Sequence, residues 1–286
     1  MTTTSTTNPL VLVTGATGKT GRRIIPRLAA RGVSTRAASR GGTVPFDWGR
    51  PETWAATLDG VDAAYIAYAP DVTMPGAVDT IGRFCATAVD AGVAHLVLLS
   101  GRGEPEAEAA EDIVRSSGAM WTIVRASWFA QNFSEDFFYG PVLAGQLDLP
   151  AGTVGEPFVD VEDIADVAAA ALLDRSHHGR TYDVTGPRLL TFADAAAEIA
   201  TATGRRLTYV QVSADDFRRG AIEEGVPAEF AEALSELFVR VFDGRNAYVG
   251  HGVEEALGRP ATDFADYARR TAATGAWDVD DLDVAG

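Results

Sequence analysis

The chain has 286 residues, of which 47% are hydrophobic and 22% are charged, so it can form one large or two small globular domains. Its 40 acidic and 24 basic residues give a net charge of −16, which argues against nucleic acid or an anionic membrane as a partner. The opening MTTTSTTN lacks the basic and apolar regions of a signal peptide, and no later segment reaches the length of a membrane span. We therefore expect a cytoplasmic protein in which residues 1–7 form a disordered tail.

The first predicted element is a buried strand, LVLV at 10–13, followed by the glycine-rich turn GATGKTG at 15–21. Its GKT tripeptide resembles the end of a P-loop, but that motif requires glycine at position 13, which is valine. A helix follows, in which Pro26 should produce a kink. This order of strand, turn and helix favours a dinucleotide-binding turn with a pyrophosphate over the helix N-terminus. On this motif alone, a tight turn that binds nothing is an equal alternative.

Strand-like runs and helices then alternate, which is typical of βαβ units in a parallel sheet. The predicted strands are Val33–Arg40, Thr43–Asp47, Ala63–Tyr68, His95–Ser100, Met120–Ser127 and Thr181–Thr185. The clearest helices between them are Gly76–Ala91, Pro105–Ser117 and Val161–Leu173. Beyond about residue 187 the pattern is mainly helical. We predict an α/β fold: a doubly wound parallel Rossmann sheet with a smaller, mainly helical substrate-binding lid domain.

Other chemistries have little support in the sequence. The single cysteine, Cys85, cannot form an internal disulfide, and its neighbours have the spacing of a buried helix face, which favours core packing over a redox role. The four histidines show no metal-ligand spacing, so we predict no metal site. Ser100 lacks the preceding glycine of a hydrolase nucleophile, and the pair Glu162-Asp163 fits the charge of a helix N-terminus better than acid–base catalysis.

Several segments together resemble the NmrA-like branch of the atypical short-chain dehydrogenases/reductases, over nearly the whole chain. They are VTGATGKTG at 13–21, LDGVDAAYIAYAP at 58–70, HLVLLSG at 95–101, WTIVRASWFAQNF at 121–133, PFVDVEDIADVAAAAL at 157–172 and YDVTGP at 182–187. The family includes NAD(P)H-dependent quinone oxidoreductases, isoflavone-type reductases, regulators that bind NADP without turnover, and tailoring reductases of aromatic polyketide pathways. The resemblance therefore implies a fold and a cofactor class, and leaves the function open among these.

This resemblance also suggests how the chain divides into domains. Residues 8–134 and 158–186 are predicted to form the NAD(P)-binding Rossmann domain. Residues 135–157 and 187–286 are predicted to form the smaller substrate domain.

The segment RAASRGG at 36–42 indicates which dinucleotide binds. NAD-specific proteins place an acidic residue in this region, whereas Ser39 and Arg40 offer a hydroxyl and a guanidinium suited to a 2′-phosphate. We therefore predict NADP(H); a solvated loop arginine is the alternative, which is more credible for Arg36 than for Arg40. The predicted cofactor-binding residues, several of them implied by the resemblance alone, are Gly15, Thr17, Gly18, Lys19, Thr20, Gly21, Ser39, Arg40, Asp47, Trp48, Tyr68, Ala69, Pro70, Ser100 and Gly101.

The proton donor of typical short-chain reductases is missing from this sequence. Those enzymes use a Tyr-x-x-x-Lys pair, but Lys19 is the only lysine here and position 15 is glycine. A reduced aliphatic ketone leaves a strongly basic alkoxide that needs a positioned acid, whereas a reduced quinone leaves a phenolate with a conjugate-acid pKa of ~10. The missing pair therefore favours a conjugated, quinone-like acceptor or no catalysis at all, and both remain open.

An aromatic segment, WFAQNFSEDFFYG at 128–140, follows a predicted strand and offers a wall for a flat substrate. The predicted substrate residues are Trp128, Phe129, Asn132, Phe133, Phe138 and Tyr139. For Phe129 and Phe133, core packing is an equal alternative. The catalytic residue is unknown; the candidates at the reacting end are Tyr139, Asn132 and Arg102.

Together these features predict an NADPH-dependent reductase that transfers hydride to a quinone or an anthraquinone-like aromatic polyketide. The resemblance implies a role in priming that substrate for oxygenation in secondary-metabolite or antibiotic biosynthesis. The alternative is a non-catalytic, NADP-sensing regulatory protein of NmrA type. The expected partners are a small aromatic substrate and, as protein partners, a second copy of the chain or an oxygenase, with no nucleic acid and no membrane.

Overall fold

A computed structural model describes residues 9–279, so the predicted tail at 1–7 lies outside the described residues. The chain divides into two compact units. We call the first the sheet unit; its described residues are 9–126, Val161–Val184 and His251–Arg259. The second, the helical unit, contains Ser127–Asp160, Thr185–Gly250 and the described residues 260–279.

The elements in chain order are β1 (Leu10–Val13), α1 (Gly21–Ala29), β2 (Ser34–Ala37), α2 (Trp54–Leu58), β3 (Ala63–Ile66), α3 (Ala77–Asp90), β4 (His95–Gly101), α4 (Pro105–Ser116), β5 (Met120–Ala126), α5 (Asn132–Glu135), α6 (Tyr139–Ala144), β6 (Gln146–Leu149), α7 (Val161–Leu173), β7 (Arg180–Val184), α8 (Phe192–Thr203), β8 (Thr208–Gln211), α9 (Ala214–Glu223), α10 (Ala228–Val241), α11 (Gly252–Leu257) and α12 (Phe264–Ala273). Short 3-10 turns lie at Pro51–Thr53 and Arg175–His177.

The sheet unit contains a parallel sheet of six strands in the order β2-β1-β3-β4-β5-β7, which confirms the predicted doubly wound Rossmann fold. Strands β1 and β3 are apolar and buried, whereas the edge strand β2 is polar and partly exposed. The chain passes from β1 to β2 on one side and returns to β3 on the other. Parallel sheets bind their ligands at such a reversal, beyond the carboxyl ends of the strands.

One predicted strand, Thr43–Asp47, was wrong. This stretch forms only an isolated bridge between Ser39 and Pro45. Proline has no N–H to donate to a ladder, and the glycines at 41 and 42 disfavour an extended strand. The edge of the described sheet is therefore β2.

The helical unit is organised around an aromatic core and a two-stranded parallel sheet of β6 and β8. The indole Nε1 of Trp277 donates to the carbonyl of Phe133 at 2.9 Å, which ties the last described segment to this core. The fully buried aromatic side chains of the core are Phe133, Phe138, Phe158, Phe192, Phe238 and Trp277.

The units differ from the predicted domains at residues 127–134, 158–160, 185–186 and 251–259. Residues 127–134 belong to the helical unit, because Phe133 packs in its aromatic core. Residues 251–259 belong to the sheet unit, since Gly252 lies against the backbone of Asp183 on β7, where an added Cβ would be 2.7 Å from backbone atoms. The sequence signal for that contact is a single glycine at the start of α11.

Within residues 9–279, no helix is long and apolar enough to cross a bilayer, and no group of three or more His, Cys, Asp or Glu side chains could hold a metal ion. The Cys85 side chain is in the core of the sheet unit, as its helical spacing predicted. Burial raises the pKa of its thiol to about 12, so it stays protonated at neutral pH.

A histidine cluster lies at the amino-terminal ends of β4, β5 and β7. The His95 Nε2 atom is 3.1 Å from the Thr122 hydroxyl, which donates its own proton to the His177 carbonyl at 2.8 Å. A hydroxyl donates only one hydrogen, so His95 Nε2 carries the proton and is the donor. The His178 ring centre is 4.2 Å from that of His95. Burial and the nearby His178, His177 and Arg175 lower the pKa of His95 to about 3.

This geometry predicts acid sensitivity. Because the folded pKa of His95 lies below its unfolded value of ~6.5, neutral His95 contributes stability above that pH and the contribution is lost as the pH falls toward the folded pKa. We expect the free energy of unfolding to fall by about 2 kcal/mol between roughly pH 6.5 and pH 5. Urea denaturation of the parent and of His95→Asn would measure it. The variant should lose this slope, while the exposed-site variant His251→Asn should keep it; equal slopes in all three proteins would contradict the assignment.

Candidate functional site

The glycine-rich turn lies at the carboxyl ends of two neighbouring strands. Thr14 follows β1; its hydroxyl accepts from the Ala67 N–H at 2.8 Å and donates to the Tyr65 carbonyl at 3.0 Å. These bonds hold the ends of β1 and β3 side by side. The chain then turns at Gly15, whose φ of +60° is in the left-handed region that favours glycine.

The start of α1 packs directly on this turn. A Cβ atom on Gly21 would lie 2.3 Å from the Gly15 carbonyl oxygen and 2.8 Å from the Ala16 Cα, so only glycine fits there. The Gly18 N–H donates to the same carbonyl at 2.9 Å, and a Cβ on Gly18 would lie 3.2 Å from it. The turn and the start of α1 thus present a surface of backbone atoms, because Gly15, Gly18 and Gly21 carry no side chain.

This surface fits the pyrophosphate of a dinucleotide. At the N-cap of α1, the Thr20 side chain makes no capping hydrogen bond to the described backbone. The first N–H groups of a helix have no partner within the helix, and their partial positive charge favours an anion. The structure therefore brings the predicted residues 15–21 together in an arrangement suited to phosphate.

The two arginines of the second strand region have different roles. Arg36 donates to the carbonyls of Thr57 at 2.8 Å and Asp59 at 2.7 Å, which makes it a structural residue. Arg40 follows β2, is exposed, and has no hydrogen bond or ion pair to any of residues 9–279. Ser39, beside it, is half-buried. Arg40 is therefore available for a 2′-phosphate, and Arg36 is not.

The predicted cofactor-binding residues Asp47, Trp48 and Tyr68 are mostly packed within the protein. The Trp48 side chain is only 8% exposed and its ring centre lies 5.0 Å from that of Phe84 and 5.1 Å from that of half-buried Tyr68. One Asp47 carboxylate oxygen accepts from the Gly49 N–H at 2.9 Å. Only an edge of Trp48 can face a ligand. Ala69 and Pro70, which follow β3, are exposed.

Ser100, a predicted cofactor-binding residue at the end of β4, belongs to a network of charged side chains. The Ser100 hydroxyl donates to buried Glu111 at 2.7 Å; the same carboxylate accepts from Arg125 Nε at 2.8 Å and from Arg115 at 2.7 Å. Burial alone would raise the pKa of Glu111, but the bonds from Arg125, Ser100 and Arg115 outweigh it and the pKa is lowered. Ser100 is 3% exposed. The Ser100 hydroxyl therefore donates its proton to Glu111, within the sheet unit.

Arg102, a candidate for the reacting end, has a structural role as well. Its side chain is buried, and its Nε lies 2.8 Å from a carboxylate oxygen of Asp183 on β7. This ion pair joins the end of β4 to β7. A Cβ on neighbouring Gly101 would lie 2.5 Å from the Glu104 carboxylate, so a side chain there would require Glu104 to move. The Arg102 side chain is thus engaged with Asp183 in this structure.

The aromatic segment of the helical unit is partly core and partly surface. Phe133 is 0% and Phe138 is 1% exposed, and both pack in the aromatic core, which for Phe133 was the alternative to a substrate pocket. Phe129 is half-buried and bridges to Val159. Tyr139, the first residue of α6, is 37% exposed. This leaves Phe129 and Tyr139 with surface that a ligand could contact.

Two polar groups of this segment are buried without a partner among the described residues. They are the indole Nε1 of half-buried Trp128 and the amide oxygen Oδ1 of Asn132. The Trp128 ring packs against Phe238 and Phe242, with ring centres 5.5 Å and 5.2 Å away. Buried polar groups without partners are uncommon in folded proteins, so these two atoms can bond to water or to a ligand.

Sequence reasoning missed the ionic contacts. Arg23 and Arg27 on α1 pair with Glu162, and Arg27 also pairs with Asp166 on α7. In each helix the two charged residues are four apart, which places them on one face. Such a spacing of opposite charges on two separate helices was the available signal.

The comparisons with known proteins agree with this geometry. The NAD(P)H-binding family matches residues 15–175, and the NmrA-like family matches residues 107–271. A (4-alkanoyl-5-oxo-2,5-dihydrofuran-3-yl)methyl phosphate reductase from Streptomyces griseus is 35% identical over 91% of this chain and 96% of its own. An NAD(P)H azoreductase from Xenophilus azovorans is 29% identical over 92% and 98%.

A solved structure shares the fold. The triphenylmethane reductase of Citrobacter sp., complexed with NADP(H), has a TM-score of 0.74 and 20% identity, and the match covers 92% of this chain and 99% of that chain.

The glycine turn generates a paired prediction. Gly18→Val should fold, because its Cβ meets only the Gly15 carbonyl, but its branches would obstruct the approach of a pyrophosphate and weaken NADPH binding by roughly tenfold or more. Gly21→Ala should lower the free energy of unfolding by about 1–3 kcal/mol through the clash with Gly15. Calorimetric titration with NADPH and thermal melting would measure both effects. Unchanged NADPH affinity in folded Gly18→Val would place the pyrophosphate elsewhere.

Proposed function

The chain belongs to the NmrA-like family of NAD(P)H-binding proteins, and within that family we propose that it is an NADPH-dependent reductase of a quinone or a polycyclic aromatic polyketide. When bound, NADPH supplies the hydride that reduces the acceptor. Residues 15–21 hold the pyrophosphate, and Arg40 with Ser39 holds the 2′-phosphate. The proposed pathway role is to reduce an anthraquinone-like substrate so that it can then be oxygenated.

The observation that carries this proposal is the absence of a tyrosine–lysine proton donor, since Lys19 is the only lysine in the sequence. A conjugated acceptor needs no strong acid, because its reduced form is a weak base, with a conjugate-acid pKa of ~10 for a phenol. Two relatives are named for conjugated acceptors: the NAD(P)H azoreductase and the (4-alkanoyl-5-oxo-2,5-dihydrofuran-3-yl)methyl phosphate reductase. The task of the protein is then to position the acceptor rather than to protonate it.

Four residues of the helical unit are proposed to contact the acceptor: Trp128, Phe129, Asn132 and Tyr139. The aromatic rings offer flat apolar surface to a polycyclic substrate. The buried Trp128 indole N–H offers a hydrogen bond to an oxygen atom of the substrate, and the buried Asn132 Oδ1 can accept one from a substrate hydroxyl. Tyr139 adds an exposed hydroxyl. Specificity would come from these polar groups, because leaving them unpaired costs about 1–3 kcal/mol each.

Cofactor preference is tested at Arg40. Arg40→Ala should weaken NADPH binding by about 1.5–3 kcal/mol, roughly ten- to a hundredfold in Kd, and leave NADH nearly unchanged. Titration of both nucleotides would measure this, with Arg31→Ala, another exposed arginine, as the control for net charge. If Arg40→Ala weakens both nucleotides equally, the 2′-phosphate assignment is wrong.

Acceptor reduction is tested with a small panel of quinones and NADPH deuterated at C4. We expect NADPH consumption with an isotope effect on a resolved chemical step in stopped flow. Trp128→Ala should impair turnover far more than NADPH affinity, because Trp128 belongs to the helical unit and the glycine turn to the sheet unit. Tyr139→Phe should cost only about 0.5–1.5 kcal/mol, the worth of one hydrogen bond.

The competing function is that of an NADP-sensing regulatory protein. Nucleotide binding with no consumption of NADPH by any quinone would favour it over the reductase. The fold alone does not distinguish the two, since a solved structure of NmrA, a negative transcriptional regulator, matches at a TM-score of 0.71 with 19% identity.

A further inference from the structure

Helices α1 and α7 of the sheet unit are joined by a ladder of ion pairs. Arg23 Nε lies 2.6 Å from Glu162, and Arg27 reaches Glu162 at 2.6 Å and Asp166 at 2.5 Å. Arg259, after α11, extends the ladder by pairing with buried Asp163 at 2.7 Å and with Asp166 at 2.5 Å. Three arginines thus face three carboxylates behind the glycine turn.

Glu162 remains charged in this arrangement. Burial would raise the pKa of its carboxyl, but the hydrogen bonds and charges of Arg23 and Arg27 outweigh that effect and the pKa is lowered. Both of its oxygens accept from arginine, Oε1 from Arg23 and Oε2 from Arg27. The Arg23 guanidinium is therefore held in one orientation by a charged, hydrogen-bonded partner.

Arg23 connects the ladder to the glycine turn. The Arg23 Nη1 donates to the carbonyl of Lys19 at 2.9 Å, whereas the equivalent Nη1 of Arg27 donates to the Arg23 carbonyl, inside α1. In a trans peptide the carbonyl and the following N–H point in opposite directions. With the Lys19 carbonyl turned toward Arg23, the Thr20 N–H points away from it. That N–H has no acceptor among the backbone hydrogen bonds of residues 9–279.

We infer that Glu162 is a positioning residue for the cofactor. By holding Arg23 on the Lys19 carbonyl, it fixes the plane of the Lys19–Thr20 peptide, so that the Thr20 N–H is oriented to donate to the pyrophosphate. Glu162 touches neither cofactor nor acceptor. Because both nucleotides carry the same pyrophosphate, this contribution is shared by NADP and NAD, unlike that of Arg40. The inference rests on nucleotide binding at the turn and not on the identity of the acceptor.

The test compares two carboxylates on the same helix by the same chemical change. Glu162→Gln removes the charge that holds Arg23, while Asp166→Asn removes a carboxylate of the ladder that contacts only Arg27 and Arg259. We expect both to lower Tm. Glu162→Gln should raise the Kd of NADP⁺ and of NAD⁺ by a similar factor, about five- to tenfold, and Asp166→Asn should leave both within about twofold. Calorimetric titration in the absence of any acceptor measures these constants.

A further variant, Arg23→Gln, tests the same contact independently, in case Glu162→Gln does not fold. Arg23→Gln removes the donor to the Lys19 carbonyl and should raise both dissociation constants as Glu162→Gln does. If Glu162→Gln and Arg23→Gln leave both constants unchanged, or raise that of NADP⁺ alone, the inference is overturned. Failure of the parent to reduce any quinone would contradict the proposed function without altering this comparison. Failure of the parent to bind either nucleotide would overturn both.

Discussion

The contact between Gly21 and the Gly15 carbonyl is the constraint on which the sheet unit depends. It lets α1 start immediately against the end of β1, with no side chain between helix and turn. The Thr14 hydroxyl, bonded to the Tyr65 carbonyl and the Ala67 N–H, fixes the neighbouring strand in the same place. Because these contacts are made by backbone atoms and one hydroxyl, they determine the position of the turn without using any charged residue. The cationic side chains near the turn can then bind the ligand or form ion pairs between the surrounding helices.

Charge in the sheet unit is organised in buried or half-buried networks. Glu111 is fully buried and is offset by Arg115 and Arg125, while Arg102 is paired with Asp183. Removing a carboxylate from the interior of such a network costs about 3–5 kcal/mol, because it leaves an uncompensated cation in a poorly solvated place. These pairs connect α4, β4, β5 and β7, so the carboxyl ends of three strands are held in register by ions as well as by the sheet. The net charge of −16 is compatible with this arrangement, because several arginine side chains are paired with carboxylates inside the protein.

The sequence was most informative where one chemical property decides the outcome. The bounds of β1 and α7 were predicted to the residue, since a buried apolar run and a helix with acidic residues in its first turn leave few alternatives. The glycine turn and the resemblance to the NmrA-like family were also evident from the sequence, because their motifs leave few alternatives. The strand predicted at Thr43–Asp47 was wrong, because Pro45 within it cannot donate a hydrogen bond to a neighbouring strand. The burial of Phe133 and Phe138 could not be predicted, because an aromatic residue in a pocket and one in a core look alike in sequence. The partner of Ser100 was not predicted, and the spacing of charges was the one sequence signal for that of Arg23, which lies 139 positions away.

Both units are assembled from three separate stretches of the chain, and this has a consequence for biosynthesis. The central part of the sheet, through β5, is made first, but β7 and α11 belong to the same unit and emerge only after intervening residues of the helical unit. At ribosomal rates of roughly 5–20 residues per second, β5 waits several seconds for its neighbour β7. During that interval an apolar strand edge stays unpaired on the nascent chain, which is the condition under which strands pair with the wrong partner. The chain should therefore depend on chaperones that cover a strand edge during synthesis more than a protein with two contiguous domains does.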